Sequence, residues 1–172
     1  MKVVRKHEVY KSKIFRVVEE KAVDRSGFEI DRAIVRHGGS SVMLALDDRK
    51  RVLLVKQFRL PAEKELWEIP AGRLDPGENP LAAARRELRE ETGCSAKKWK
   101  KLAAYWPSPG YISEKMHLFL ATDLTEGEAT PMEDERIEKR WFKKKELDKL
   151  IRDGKIEDGK TLIAFLLWQR YK

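Results

Sequence analysis

The segment 72–94, GRLDPGENPLAAARRELREETGC, constrains the fold more than any other stretch, because its second half carries a full set of helix signals. Asn79 is a favourable N-cap, and Pro80 takes the first helical position, where its missing N–H removes no hydrogen bond. Gly93 is a favourable residue at which to end a helix. The sequence therefore predicts a helix between Asn79 and Gly93.

Three carboxylates lie on one face of this predicted helix. Glu87, Glu90 and Glu91 stand at positions i, i+3 and i+4. Like charges at this spacing oppose helix formation by roughly 0.2–0.5 kcal/mol per pair, so a compensating positive charge is expected. A hard divalent cation bound through oxygen ligands would supply it. The alternative is a solvated acidic face that is neutralised by the neighbouring arginines, namely Arg85, Arg86 and Arg89.

Composition places the chain among folded domains. Its 172 residues suit one domain, or a domain with a small appendage, and 41% hydrophobic residues with five tryptophans argue against disorder. We find neither an apolar run of about 18 residues, as a membrane helix needs, nor a signal-peptide pattern. With a single cysteine, these features predict a cytoplasmic protein without membrane partners.

The formal net charge of +8 is compatible with an anionic partner. The basic residues are scattered among acidic ones, with the densest runs at 97–101 and 139–145. This pattern is typical of a lysine-rich solvated surface, and it does not favour a nucleic-acid partner.

Strand patterns dominate the first third of the chain. Residues 13–23 and 28–36 flank the turn signal at 24–27 and predict an N-terminal hairpin or small sheet. Residues 42–46 and 51–57 predict a second strand pair around a polar turn. We therefore expect a small β-sheet over 1–38 and the main domain over 39–172.

Further elements complete an α+β pattern. Pro70, Ala71 and Gly72 predict a tight turn whose carbonyl can face a metal. Strands are predicted at 99–106, 115–121 and 136–142, a long acidic loop at 125–138, and helices at 144–152 and 161–171.

The carboxylate helix belongs to a longer motif. Gly72, Glu78, the pair Arg86-Glu87 and the pair Glu90-Glu91 fit the pattern G-x5-E-x7-R-E-U-x-E-E-x-G-U, in which U is apolar and Cys94 takes the last position. This pattern resembles the Nudix box, the signature of the Nudix hydrolases. The resemblance implies hydrolysis of a nucleoside diphosphate linked to another group, on a mixed sheet sandwiched between helices.

The resemblance also implies a metal cofactor. The expected ligands of Mg²⁺, or of Mn²⁺ in its place, are the carbonyl of Ala71 and the carboxylates of Glu87, Glu90 and Glu91. Arg86 is expected to point away from the acidic face and to hold Glu78 or the loop before it.

The flanking segments resemble the ADP-ribose pyrophosphatase branch of the family. The similar segments are 57–59, 67–72, 82–88, 108–110 with Glu114, and the acidic stretch 131–138. Pro109, fifteen residues after Cys94, occupies the position that is usual in this branch.

This branch resemblance assigns roles to several residues. Glu135, with Glu133 in reserve, is the expected general base, and Glu114 is either a ligand of a metal-bound water or an exposed acid. For the substrate, it implies that Arg59 holds a phosphate and that Phe28, Glu29 and Pro109 surround the nucleotide, with the pair Phe28-Glu29 often acting across a dimer interface. The implied assembly is a homodimer.

The resulting hypothesis is Mg²⁺-dependent hydrolysis of ADP-ribose to AMP and ribose 5-phosphate. The same chemistry on another nucleotide sugar, such as GDP-mannose, is the nearest alternative. An RNA-directed Nudix protein is a second alternative, motivated by the positive charge. A regulator without activity is disfavoured, because the sequence retains every carboxylate of the box.

Overall fold

The computed structural model describes residues 1–130 and 136–170, which form ten strands and three α-helices. The strands are β1 Lys2–Lys11, β2 Phe15–Val23, β3 Glu29–His37, β4 Ser40–Ala45, β5 Val52–Arg59, β6 Lys64–Glu68, β7 Ala71–Arg73, β8 Ser95–Tyr105, β9 Met116–Thr125 and β10 Glu138–Phe142. The helices are α1 Pro80–Thr92, α2 Lys144–Arg152 and α3 Gly159–Arg170, with a short 3₁₀ helix at Leu60–Ala62. The predicted α+β class is confirmed.

The chain divides into two compact units. The first contains residues 1–39 and 105–116, and the second contains the described residues of 40–104 and 117–172. In the part of the chain that the structure describes, no helix is long and apolar enough to cross a membrane.

The first unit is built on an antiparallel sheet with the strand order β1-β2-β3. The β2–β3 hairpin confirms the pairing predicted from the sequence. Its turn is held by Asp24, whose Oδ1 accepts a hydrogen bond from Ser26 N at 2.8 Å. The segment 105–116 returns to β3, where Val35 N donates to Tyr111 O at 2.8 Å.

The second unit contains two sheets, with the orders β10-β5-β6 and β7-β4-β9-β8. The predicted strand pair of 42–46 and 51–57 is wrong, because β4 and β5 lie in different sheets and share only a bridge between Leu46 and Val52. Residues 42–46 and 52–55 are continuously apolar and buried. Such strands can be covered on both faces and take neighbours from distant parts of the chain.

Helix α1 forms where the sequence predicts it. Asn79 Oδ1 accepts a hydrogen bond from Leu81 N at 2.9 Å, and Gly93 ends the helix in the left-handed conformation with φ 74°. Its apolar face is buried in a core cluster made of Met43, Ala45, Leu53, Ala84, Leu88, Cys94, Phe119 and Ala121. Burying a leucine side chain contributes about 1.5–3 kcal/mol. This packing fixes the direction in which the opposite, acidic face points.

The segment before the box differs from the prediction. Residues 70–72 do not form a tight turn, because Ala71 and Gly72 belong to β7 and pair antiparallel with β4. Met43 N donates to Pro70 O at 2.9 Å, so the pairing continues to the residue before the strand. The two C-terminal helices are confirmed, although α3 begins at Gly159 rather than at Thr161.

Candidate active site

The start of β7 and the acidic face of α1 are in direct contact. Ala71 N donates a hydrogen bond to Glu91 Oε2 at 3.2 Å. A Cβ placed on Gly72 would lie 1.9 Å from Cδ of Glu87 and 2.2 Å from each of its carboxylate oxygens. A larger residue at position 72 would therefore displace the Glu87 carboxylate from its present place. The structure brings the backbone of Ala71 and Gly72 together with Glu91 and Glu87.

Arg86 organises the carboxylates around it. Its Nε and Nη2 donate to the two oxygens of Glu78 at 3.1 and 2.9 Å. Nη1 donates to Glu87 Oε1 at 2.7 Å and to Glu90 Oε2 at 3.1 Å. Nη2 also donates to the carbonyl of Arg73 at 3.0 Å. The predicted contact with Glu78 is confirmed, and hydrogen bonds from Arg86 lower the pKa of that carboxyl.

The expectation that Arg86 points away from the acidic face is wrong. Arg86 precedes Glu87 directly and lies four residues before Glu90, so its long side chain reaches both of them along the helix surface. Hydrogen bonds to Glu78, followed by those to Glu87, raise the pKa of Arg86 above its usual range. The acidic face is thus partly neutralised from within the helix.

The donor chemistry of this face fits a divalent cation. Carboxylate and carbonyl oxygens are the ligands that Mg²⁺ prefers, and β7 brings a main-chain segment against Glu87 and Glu91. Among residues 1–130 and 136–170, no three Asp, Glu, His or Cys side chains are already arranged as a metal-binding group. Arg86 Nη1 instead donates hydrogen bonds to both Glu87 and Glu90.

Arg59, the candidate phosphate ligand, is held by a buried carboxylate. Its Nε and Nη2 donate to Glu68 Oε1 and Oε2 at 2.8 and 2.7 Å. These hydrogen bonds raise the pKa of Arg59, and the nearby charges of Glu91 and Asp158 raise it further. The guanidinium of Arg59 therefore interacts electrostatically with Glu91, the carboxylate that Ala71 contacts.

In the first unit, a cleft of about 490 Å³ contains one of the predicted substrate residues. Its lining consists of Ile30, Arg32, Ile34, Arg36, Trp106 and residues 109–113, including Pro109. The β3 residues of this lining were not predicted from the sequence, although their i, i+2 spacing places them on one face of the strand. Within the described chain, Phe28 and Glu29 are not part of this lining.

The other candidates in the first unit are Phe28, Glu29 and Glu114, and none of them lines the cleft. Phe28 lies in the turn before β3 and is 61% exposed, and Glu29 forms an ion pair with Lys21 at 2.6 Å. Glu114 Oε1 lies 3.7 Å from Nδ1 of His37.

The two candidates for the general base, Glu133 and Glu135, lie outside the described residues. The chain is fixed directly before them, because Thr130 N donates to the carbonyl of Glu90 at 3.0 Å. A Cβ on Gly93 would lie 2.2 Å from Gly127 O, which shows how closely the segment before Thr130 packs on the end of α1.

Comparisons with known proteins agree with this architecture. Residues 35–165 match the NUDIX domain. A solved structure described as an ADP compounds hydrolase superposes with a TM-score of 0.83, covers 99% of this chain and 94% of its own, and is 22% identical in sequence. The chain therefore belongs to the Nudix hydrolase family, and it is a Nudix pyrophosphohydrolase, as the box predicted.

Two bacterial relatives resemble the chain over nearly its whole length. An ADP-ribose pyrophosphatase of Bacillus subtilis (strain 168) is 38% identical over 165 residues, which are 95% of this chain and 89% of the relative. A methanol dehydrogenase activator of Bacillus methanolicus is 33% identical with the same coverage of both chains. The resemblance to the ADP-ribose pyrophosphatase branch is thus confirmed.

Proposed function

We propose that this protein hydrolyses ADP-ribose to AMP and ribose 5-phosphate with the help of Mg²⁺. The observation that carries the proposal is the convergence of the Ala71 backbone, Glu87 and Glu91, with Arg59 close enough to Glu91 for that carboxylate to raise its pKa. The similarity to an ADP-ribose pyrophosphatase over 95% of the chain favours this substrate.

In the proposed reaction, water attacks one phosphorus of the P–O–P bridge. A new P–O bond forms, the bridging P–O bond breaks, and the bridging oxygen leaves with the other phosphate. A divalent cation, when bound, would supply positive charge against the phosphoryl oxygens and lower the pKa of a bound water. Ala71, Glu87, Glu90 and Glu91 are the residues that we assign to hold it.

The remaining residues bind and orient the substrate. We assign Arg59 to one phosphate, because a guanidinium can hold two phosphoryl oxygens in one plane. We assign the general base to Glu135, with Glu133 in reserve. The hydrogen bond from Thr130 to Glu90 supports this assignment, since it fixes the preceding chain at the carboxylate helix. The role of Glu114 as a ligand of a metal-bound water stays a prediction.

We assign Pro109, Phe28 and Glu29 to the nucleotide end of the substrate. Pro109 lines the cleft together with Trp106 and Ile30, which offer an apolar and aromatic surface to a base. Phe28 and Glu29 remain the proposed partners for adenine. The division into an N-terminal sheet (1–38) and a hydrolase domain (39–172), the homodimer and the cytoplasmic location are parts of the same proposal.

The proposal is tested by measuring AMP release from ADP-ribose, ADP-glucose and NADH, GMP release from GDP-mannose, and release of the guanosine nucleotide from a capped RNA, all with Mg²⁺. We expect ADP-ribose to have the highest kcat/KM and Glu91→Gln to lower it by at least about 10²-fold, because a ligand of the reacting centre is lost. Asp48→Asn removes an exposed carboxylate from the β4–β5 turn and is the matched control. Faster cleavage of GDP-mannose would contradict the substrate, and cleavage of the capped RNA alone would favour the RNA-directed alternative.

A further inference from the structure

A buried charge network lies around Glu68, the last residue of β6. Its side chain is only 2% exposed and accepts hydrogen bonds from both Nε and Nη2 of Arg59. Lys160 Nζ, near the start of α3, also donates to Glu68 Oε2. The Glu68 carboxylate thus contacts two cationic side chains that are far apart in sequence, Arg59 of β5 and Lys160 of α3.

The start of α3 is fixed to the same strand end. Asp158 accepts hydrogen bonds from Thr161 N at 3.0 Å and from Lys160 Nζ at 2.9 Å. Thr161 Oγ1 in turn accepts a hydrogen bond from Ile69 N at 2.8 Å. Because Ile69 follows Glu68 directly, helix α3 holds the backbone and the side chain of this strand end together.

This strand end leads directly into β7, the strand that contacts the acidic face of α1. Ala71, whose N–H contacts Glu91, comes three residues after Glu68. Glu68 accepts one N–H from Nε and one from Nη2 of Arg59, so both N–H groups of Nη1 and the second N–H of Nη2 point away from Glu68 and can meet an incoming phosphate. The bidentate contact fixes the plane of the guanidinium and thereby the direction of Nη1.

Stability alone does not explain this arrangement. A buried ion pair loses much of its Coulomb energy to desolvation, and well-packed apolar residues of similar volume are often equally stable. Arg59 is also 40% exposed, whereas its partner is not, so its far side can meet a ligand. A fixed orientation of Arg59 is what the network provides beyond packing.

We propose that Glu68, supported by Lys160, is a positioning residue that orients Arg59 for the substrate phosphate. The inference rests on the proposed pyrophosphatase function. It extends that function by making phosphate binding depend on the junction of β6 and α3, which contributes no group that contacts the substrate. Glu68 acts only through Arg59.

A double-mutant cycle tests this dependence. We expect Glu68→Gln to raise the KM for ADP-ribose and to lower kcat/KM by on the order of 10²-fold, with a smaller effect on kcat, because the phosphate contact is misplaced. In an Arg59→Met background, the same change should alter KM by no more than about twofold, because its route of action is already gone. The double variant removes both charges of the Arg59–Glu68 pair, so neither is left as an unpaired buried charge, and Lys160 keeps its contact with Asp158.

Controls separate positioning from loss of structure. Asp47→Asn breaks another partly buried carboxylate–arginine pair, in which Arg51 Nε donates to Asp47 Oδ2 at 2.6 Å, and should leave KM unchanged. Glu68→Asp keeps the charge but shortens the side chain, and it replaces Glu68→Gln if the latter does not fold. Effects of Glu68 and Arg59 that simply add, or a normal KM in Glu68→Asp, would overturn the proposal.

A second measurement tests the role of Glu68 independently of whether ADP-ribose is the substrate. If the wild-type protein does not hydrolyse ADP-ribose, the substrate assignment fails, and calorimetric binding of inorganic pyrophosphate becomes the deciding measurement. Positioning predicts that Glu68→Gln and Arg59→Met weaken pyrophosphate binding equally. Normal binding by Glu68→Gln, or no binding by the wild-type protein, would overturn the role of Glu68.

Discussion

At the scale of single residues, the site depends on one missing side chain and one shared arginine. Gly72 lets β7 approach the Glu87 carboxylate, and Arg86 joins Glu78 to Glu87 and Glu90. Neither residue is a candidate ligand, yet both decide where the candidate ligands lie. The acidic face is therefore arranged by β7 and by Arg86 as much as by the spacing of its own carboxylates.

Replacing Gly72 by alanine tests this dependence. The new Cβ would lie 1.9 Å from Cδ of Glu87, so the carboxylate or the strand must move. Because a displacement of about 1 Å can lower activity on the order of 10²-fold, we expect a loss of this size in kcat/KM for ADP-ribose.

Gly159→Ala is the matched control for this change. A Cβ at Gly159 meets no atom within 4 Å, and alanine suits the start of a helix. This variant should keep its activity and its melting temperature. Equal activity of the Gly72 and Gly159 variants would contradict the close approach of β7 to Glu87.

At the scale of elements, local signals were sufficient for α1 and for the β2–β3 hairpin, and insufficient for the two sheets of the second unit. Asn79 and Gly93 act on backbone groups within a few residues, so the sequence alone predicts where the helix begins and ends. The pairing of β4 with β7 and β9 depends on residues that are distant in sequence, and an apolar run carries no information about its neighbours.

The candidate site shows the same limit. The carboxylates Glu87, Glu90 and Glu91 were predicted because their spacing is local. The partners of Glu68 are nine and 92 residues away, so its part in the site becomes visible only in the folded chain. The direction of Arg86 was missed because side-chain reach along a helix depends on the rotamer as well as on spacing.

The elements that meet at Glu68 should make stability depend on pH. Burial raises the pKa of Glu68, but hydrogen bonds from Arg59 and the charge of Lys160 outweigh it, and the folded pKa lies below the ordinary value of 4.5. Asp158, which also contacts Lys160, is the other acidic group in the network. This contribution is therefore fully present above pH 4.5 and is lost as the pH falls through the folded pKa.

We expect urea unfolding to show this loss below pH 4.5. The free energy of unfolding of the wild-type protein should fall more steeply with acidification than that of Glu68→Gln, which has no carboxylate to protonate. Asp48→Asn removes an exposed carboxylate and should keep the wild-type slope. A Glu68→Gln slope equal to that of the wild-type protein would mean that the pair does not stabilise the fold.

At the scale of the whole molecule, the first unit presents an edge strand to solvent. Strand β1 lies at one end of its sheet, and all ten of its residues are exposed. The exposed residues include apolar side chains, namely Val3, Val4, Val9 and Tyr10. An edge strand of this kind has unpaired backbone groups and can pair with another chain.

The proposed homodimer would cover this edge with the β1 strand of a second copy. Light scattering should then give a mass near twice the 20.1 kDa of one chain. A double variant, Val4→Glu with Val9→Glu, should reduce the mass to 20.1 kDa, because charges on an edge strand oppose pairing. Leu166→Glu, at a 58% exposed position on α3, is the control and should remain dimeric. A wild-type protein that is already monomeric would contradict the dimer, and a dimeric double variant would move the interface away from β1.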